Sequence, residues 1–296
     1  MQYYSESSPK GEFSVFKVFV PNFTNLEVSK IGALSQSVIT LLSDLGTRDT
    51  SVTVAKAVLM RHAPEATIVD VSHNVVQYDL QQGAYLLLSA YKHFPTGTVH
   101  IAMVDVFSGD KPHMLLAEKN GHYFIAPDNG LLPLAFGGEL EDARSCFEFS
   151  KPYSFSEWIN MAGKIVAALQ EGSMEEFKTC DVKMARRLLQ PQLTPNGLDC
   201  NILYIDRYEN VVLDVTRKQF DGFVKDRPFK IKIMRMNDIT TISNNYNDVP
   251  DGEPLCRFND TGYLEIALNH APAASLLGLG SYNPGSLRYQ TIRIFF

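Results

Sequence analysis

Residues 38–73 read VITLLSDLGTRDTSVTVAKAVLMRHAPEATIVDVSH. The stretch opens on an apolar run of strand length, Val38–Ser43, which stops at Asp44-Leu45-Gly46, with Asp49 a little further on. From Ser51, residues Val52, Ala55, Leu59 and His62 recur at helical spacing until Pro64 ends the pattern. A second strand-like run follows at 67–73. Strand, helix and strand in this order predict a β-α-β unit with parallel strands.

The same alternation continues outward. A helix is expected over 79–94, closed by Pro95-Thr96-Gly97, and a third strand over 99–105. The segment 113–127 reads as a hairpin turning at Asn120-Gly121. A further helix is expected at about 156–171. Pro191, Pro195 and Gly197 mark 190–199 as a linker.

Beyond it the texture changes to short β-like runs at 201–215, 229–236, 240–249, 262–269 and 289–296, a pattern of a small antiparallel barrel or sandwich. The fold class is therefore α/β. It comprises an extension over 1–36, a domain with a mostly parallel sheet over 37–189, the linker, and an antiparallel β-barrel domain over 200–296.

Composition bounds the functions. The 296 residues are 45% hydrophobic and 20% charged, as in soluble globular proteins. A net charge of −6 gives no basic face for nucleic acid. No apolar run is long enough to span a membrane, and the start lacks the pattern of a secretory signal. Cys146, Cys180, Cys200 and Cys256 are widely spaced, without metal-site or disulfide-framework spacing, and read as reduced thiols. A cytoplasmic protein without a metal site is expected.

In open parallel sheets, ligands bind beyond the carboxyl ends of the strands. Asp44, Asp70 and Asp105 fall at or near such ends. Asp44 and Asp105 lead into glycine-containing loops and read as one site. The alternative is that each acid caps a helix or binds loop amides.

At this point the blocks ITLLSDLGTRDTSV, IVDVSHNVVQYDLQQGAYLL, FPTGTVHIAMVD, APDNGLL and DGEPLCRFNDTGYLEIALNHAPAASLLGL can be taken together. In order and spacing they resemble the S-adenosyl-L-methionine (SAM) hydroxide adenosyltransferase family, which also contains the SAM-dependent fluorinase and chlorinase. The resemblance implies a three-layer N-terminal domain, a C-terminal β-barrel and a homotrimer. A small-molecule nucleoside substrate, SAM, would bind between subunits, with no cofactor. It also implies attack of a nucleophile on ribose C5′, with methionine leaving.

On that resemblance Asp44 accepts hydrogen bonds from the ribose 2′- and 3′-hydroxyls, a task suited to a charged acceptor. Asp49 caps the following helix. IDRYENV, residues 205–211, matches the family pattern IDxFGNV. It implies that Asn210 reads the adenine edge, Asp206 meets the methionine ammonium, and Tyr208 supplies an aromatic wall, with Tyr246 and Tyr78 as further aromatic neighbours. Ordinary half-buried packing is the competing reading for each tyrosine.

The chain also departs from the family. Hydrolytic members carry an acid, then P-G-V-G and an arginine, and later a histidine in an F-H-G-R-D-like segment. Here the acid is Asp105, but the arginine position falls on Pro112, between Lys111 and His113, and the histidine position falls near Glu157. Lys111 could supply the charge without the planar fork, and His113 a base. Where the family meets the SAM carboxylate, this chain has Asp260-Thr261. Asp260 would repel a carboxylate by about 1 kcal/mol even when solvated.

Ser108 matches a hydroxyl position near the fluorinase halide site, but a carboxylate at Asp105 disfavours a halide and favours water. Three expectations result: SAM hydrolysis to adenosine and methionine; a decayed SAM- or adenosine-binding protein; or hydrolysis of another 5′-substituted adenosine. Halogenation ranks below them.

Overall fold

The computed structural model describes residues 37–108, 113–136, 140, 142–149, 153–172, 177–182, 190–232, 237–279 and 291–296. The 1–36 extension, Lys111 and Pro112 lie outside the described residues.

The opening stretch forms β1 (Val38–Ser43), α1 (Ser51–His62) and β2 (Thr67–Ser72). Next come α2 (Leu80–Tyr91) and β3 (Val99–Met103). The hairpin of β4 (His113–Lys119) and β5 (His122–Pro127) turns at Asn120-Gly121, where both residues take positive φ. The half closes with α3 (Leu131–Phe136), β6 (Asp142–Glu148), α4 (Phe155–Gln170) and β7 (Lys178–Thr179).

The strands form one sheet in the order β2-β1-β3-β5-β4-β6-β7. Pairing is parallel from β2 to β5 and antiparallel from there on, so five of the seven strands run one way.

Strand alternation sends side chains to two layers. Ile39, Leu41, Ile101 and Met103 pack under α1 and α4 with Leu59, Trp158 and Ile165. Leu42, Ala102 and Val104 pack on the other face, with Leu87 of α2 and Leu131 of α3. This is the expected three-layer sandwich. Helix α4 starts where it does because Ser154 and Glu157 form a reciprocal capping box.

The second half contains β8 (Gln192–Thr194), β9 (Gly197–Ile205), β10 (Val211–Thr216), α5 (Arg217–Val224) and β11 (Lys230–Ile231). It ends with β12 (Pro254–Phe258), β13 (Tyr263–Leu268), α6 (Ala273–Leu276) and β14 (Thr291–Phe295). The antiparallel order is β11-β14-β9-β10-β13-β12, with β8 on β9. Ile239 bridges to Ile231 of β11 and Ile242 to Cys256 of β12, so this short stretch joins the two edges of the curled sheet.

The 240–249 run, expected to be β-like, contributes the Ile242 bridge and then a 3-10 turn over Tyr246–Asp248. Asp248 accepts from the amides of Asn244 and Asn245, so local side-chain bonding outcompetes a ladder there. The 190–199 stretch contains β8 and the start of β9.

Gly197 opens β9 at φ 147, and a Cβ there would lie 2.1 Å from the Ile294 carbonyl oxygen. That oxygen belongs to the backbone of β14 and cannot swing aside. Gly197→Ala is expected to destabilise the barrel half by about 3 kcal/mol, read as a lower urea midpoint. An unchanged midpoint would contradict the tight β9–β14 approach.

All four cysteines are free thiols, and burial first of all pushes Cys146 and Cys256 up to about 12. Among the described residues no group of His, Cys, Asp and Glu is placed to hold a metal ion. No helix among them is long and apolar enough to cross a membrane.

Candidate active site

The register of β1 on β3 sets Ser43 opposite Met103, so both strands deliver an acid at the same end of the sheet. The Asp44 amide donates to the Met103 carbonyl at 3.3 Å. The Asp44 carboxylate then does structural work. Its Oδ2 accepts from the Tyr78 amide at 3.0 Å and from the Asp105 amide at 3.2 Å. Oδ1 has no hydrogen-bond partner among the described residues, and Asp44 is only half-buried, which leaves that oxygen for a ligand.

Both anchored residues sit at positive φ, Tyr78 at 64° and Asp105 at 50°. For a non-glycine residue this conformation costs on the order of 1 kcal/mol, and it persists only where the surroundings enforce it. Asp105 is further held by Asn129, whose Nδ2 donates to the Val104 carbonyl at 2.9 Å and the Asp105 carbonyl at 3.4 Å. The same side chain accepts from the Leu131 amide at the start of α3. Burial, and then the Asp44 charge, raise the Asp105 carboxyl above the ordinary carboxylate range. An acid so placed is a better proton acceptor than a solvated aspartate.

The neighbouring positions have other duties. Asp70 pairs with Lys56 at 2.6 Å, which ties β2 to α1. Asp49 accepts from the Ser51 amide at the start of α1. The Ser108 amide donates to the Asp105 carbonyl, closing a turn. His113 opens β4 and faces Glu148 across the β4–β6 ladder at 3.7 Å. Glu157 is spent on the Ser154 amide and hydroxyl, so it does not stand in for a histidine.

The barrel half gathers a second group. Asp206 Oδ1 accepts from the amides of Tyr208 and Asn210, and Oδ2 from the Asn210 side chain at 3.0 Å. This Asx-type turn joins β9 to β10 and leaves Tyr208 80% exposed and Asn210 buried. Tyr246 donates to Glu265 at 2.7 Å, and Arg257 donates to the Tyr246 hydroxyl at 3.2 Å.

Glu265, directly opposite Arg257 in the β12–β13 register, escaped the sequence reading. Its only signal was an acid at a core position of GYLEIALN. Burial first of all raises its carboxyl, with the charges of Asp206 and Asp260 adding to the effect. Asp206, Tyr246 and Asp260 are thereby placed around one buried acid. Thr261 turns its hydroxyl onto Asn259.

Among the described residues, no hydrogen bond, ion pair or ring contact joins Asp44, Tyr78, Asp105 or Ser108 to Asp206, Tyr208, Asn210 or Tyr246. The halves touch elsewhere. Tyr85 of α2 packs against Tyr204 and Tyr263 and accepts from Asn259 at 3.1 Å. A cleft of about 350 Å³ opens beside this contact, lined by Gln81, Tyr85, Asp214, Thr216 and Gln219. Two of its polar side chains are committed, Asp214 to Asn201 and Thr216 to Gln219. It contains none of the sequence-predicted site residues.

Two family models match in the same order as the two halves: the SAM hydroxide adenosyltransferase N-terminal domain over 39–171 and its C-terminal domain over 200–284. The chain belongs to the SAM hydroxide adenosyltransferase family. Among members of that family, it is 29% identical over 252 residues to the (R)-S-adenosyl-L-methionine hydrolase of Thermus thermophilus, covering 80% of this chain and 94% of the relative. The corresponding hydrolase of Methanocaldococcus jannaschii is 26% identical, covering 82% and 92%. A fluorinase from Actinopolyspora mzabensis is 24% identical, covering 81% and 93%.

Among solved structures, an uncharacterized conserved protein from Thermotoga maritima superposes with a TM-score of 0.72 at 24% identity. It covers 87% of this chain and all of that one. A conserved hypothetical protein from Thermus thermophilus gives 0.63 at 25%, covering 88% and all of that chain.

Proposed function

We propose that the protein hydrolyses S-adenosyl-L-methionine to adenosine and L-methionine. The observation that carries this reading is the convergence of Asp44 and Asp105 at the ends of two adjacent parallel strands. One carboxylate keeps a free oxygen for a ribose diol, and the other has its proton affinity raised beside it. The relatives named as hydrolases of (R)-S-adenosyl-L-methionine support the substrate.

In the proposed step a water oxygen forms a bond to C5′ as the C5′–sulfur bond breaks. The bonding pair goes to sulfur, and methionine leaves as a neutral thioether. The water proton passes to Asp105 or to solvent. Because the leaving group needs no protonation, fixing water in line with C5′ carries most of the catalysis. Asp105 as a carboxylate also supports water over halide as the nucleophile.

In the same proposal Asn210, Asp206, Tyr208 and Tyr246 face the nucleoside and methionine parts from the barrel half of a neighbouring subunit in a homotrimer. That arrangement would bring the 80% exposed Tyr208 against a neighbour. Ser108 and His113 flank the water site, no cofactor is needed, and the enzyme works in the cytoplasm. The acids Asp206, Asp260 and Glu265 in the barrel group favour a second reading, in which the substrate is a 5′-substituted adenosine without a carboxylate.

Incubation with SAM, including its (R) form, followed by chromatography tests the proposal. Adenosine and methionine are expected in equal amounts, with kcat reduced about a hundredfold in Asp105→Asn. Absence of adenosine above the variant's background would sink SAM hydrolysis. Calorimetric binding of adenosine without turnover would identify a binding protein.

A further inference from the structure

We propose that Tyr153 is a positioning residue for Asp105, holding the loop that carries the acid from the side opposite Asn129. The consequence for catalysis rests on the hydrolase reading above; the consequence for the loop does not.

Tyr153 immediately precedes the Ser154 cap of α4. Its ring stacks on Phe149 with centroids 4.7 Å apart at 26°, and tilts against Phe107 at 5.3 Å. Its hydroxyl donates to the Val106 carbonyl at 2.5 Å. Val106 is the next residue after Asp105, so three side chains from separate parts of the chain hold this one turn. Asp44 takes the Asp105 amide, Asn129 the Val104 and Asp105 carbonyls, and Tyr153 the Val106 carbonyl.

A left-handed aspartate needs such enforcement, because its backbone would otherwise relax toward the ordinary regions. The hydroxyl also lies within the field of the acid. Burial first, and the Asp105 charge second, raise the Tyr153 phenol. The segment where the family resemblance expects an activating histidine thus contributes a hydroxyl that fixes the acid's backbone. That division of labour suits a reaction in which alignment of water outweighs proton transfer.

Tyr153→Phe keeps both ring contacts and removes only the O–H. Two readouts are needed: amide hydrogen exchange at Asp105 and Ser108, whose N–H groups close this turn, and steady-state kinetics on SAM. Exchange at both amides is expected to quicken about tenfold while the β1 and β3 amides keep their protection. The kcat should fall about tenfold with KM within twofold, since a misplaced acid costs alignment rather than binding.

Unchanged exchange at both amides overturns the proposal whatever the kinetics show. Quickened exchange with unchanged kcat overturns it as a positioning role. Quickened exchange in a protein whose unmutated form does not turn over SAM leaves Tyr153 as the holder of Asp105 and removes the hydrolase reading instead.

Discussion

Asp44→Ala is expected to lower kcat/KM for SAM by at least about a thousandfold, equivalent to about 4 kcal/mol. Two losses combine in it. The free Oδ1 is the proposed acceptor for the ribose hydroxyls, and a charged acceptor removed from a partly desolvated site costs about 1.5–3 kcal/mol. Oδ2 is also the partner of the Tyr78 and Asp105 amides, so its removal releases two left-handed loops at once.

Asp44→Asn separates these contributions. Its side-chain oxygen can still accept from one loop or from the ribose, but without the charge and without serving both. A smaller loss is expected, felt more in binding than in kcat. Adenosine calorimetry and steady-state kinetics on both variants check this. If Asp44→Ala bound adenosine within threefold of the unmutated protein, the ribose role would be wrong, and the carboxylate would be a purely structural tie.

That double duty explains what the sequence could and could not reveal. Asp44 and Asp105 were readable as a pair because strand ends are set by local patterning, and the topology rule for parallel sheets then brings such ends together. The parallel strands, the Asn120-Gly121 turn and the change to short strands past residue 200 were legible in the local pattern, and the three layers through the family resemblance. The devices that hold the acids were not. Asn129 lies 25 residues from Val104 and Tyr153 lies 47 from Val106, and each acts on a backbone carbonyl, which leaves no periodicity to detect.

Glu157 shows the opposite error of scale. Ser154-x-x-Glu157 is a local capping signature, and it falls where the family resemblance places a catalytic histidine. In the barrel half, IDRYENV was legible as a motif, but its turn bonding was not. Asp206 is engaged by three donors of its own turn, so any role toward a substrate ammonium uses a carboxylate already committed to shape.

A second large effect is expected far from the acids, at the opposite end of the sheet. His100 of β3 is buried, with Nδ1 2.7 Å from the Thr40 hydroxyl and Nε2 3.2 Å from His122 Nδ1. Phe124 stacks on its ring at 5.0 Å, and Tyr91 and Phe94 close around it edge-on. The chain of bonds is satisfied with one proton on each ring, Thr40 donating to His100 and His100 to His122.

Burial first, and the charge of His122 second, lower His100 to about 3; burial lowers His122 as well. In the unfolded chain these rings titrate near about 6.5. Between those values the unfolded state binds protons that the folded state refuses. The stabilising contribution is therefore complete above about pH 6.5 and is lost as the pH falls toward 3, at about 1.4 kcal/mol per pH unit for His100 alone.

Urea unfolding at pH 7 and pH 4.5 should differ by about 3 kcal/mol from this source. Acids with raised proton affinity, such as Asp105 and Glu265, titrate in the opposite sense and blur the raw difference. His100→Gln keeps an acceptor for Thr40, does not titrate, and carries those acids unchanged. Subtracting its pH dependence isolates the histidine. Equal slopes in the two proteins would show that the buried pair does not govern acid stability. A flatter slope in the variant would place the fold's acid sensitivity in the aromatic layer beneath α2, away from the carboxylates that serve the site.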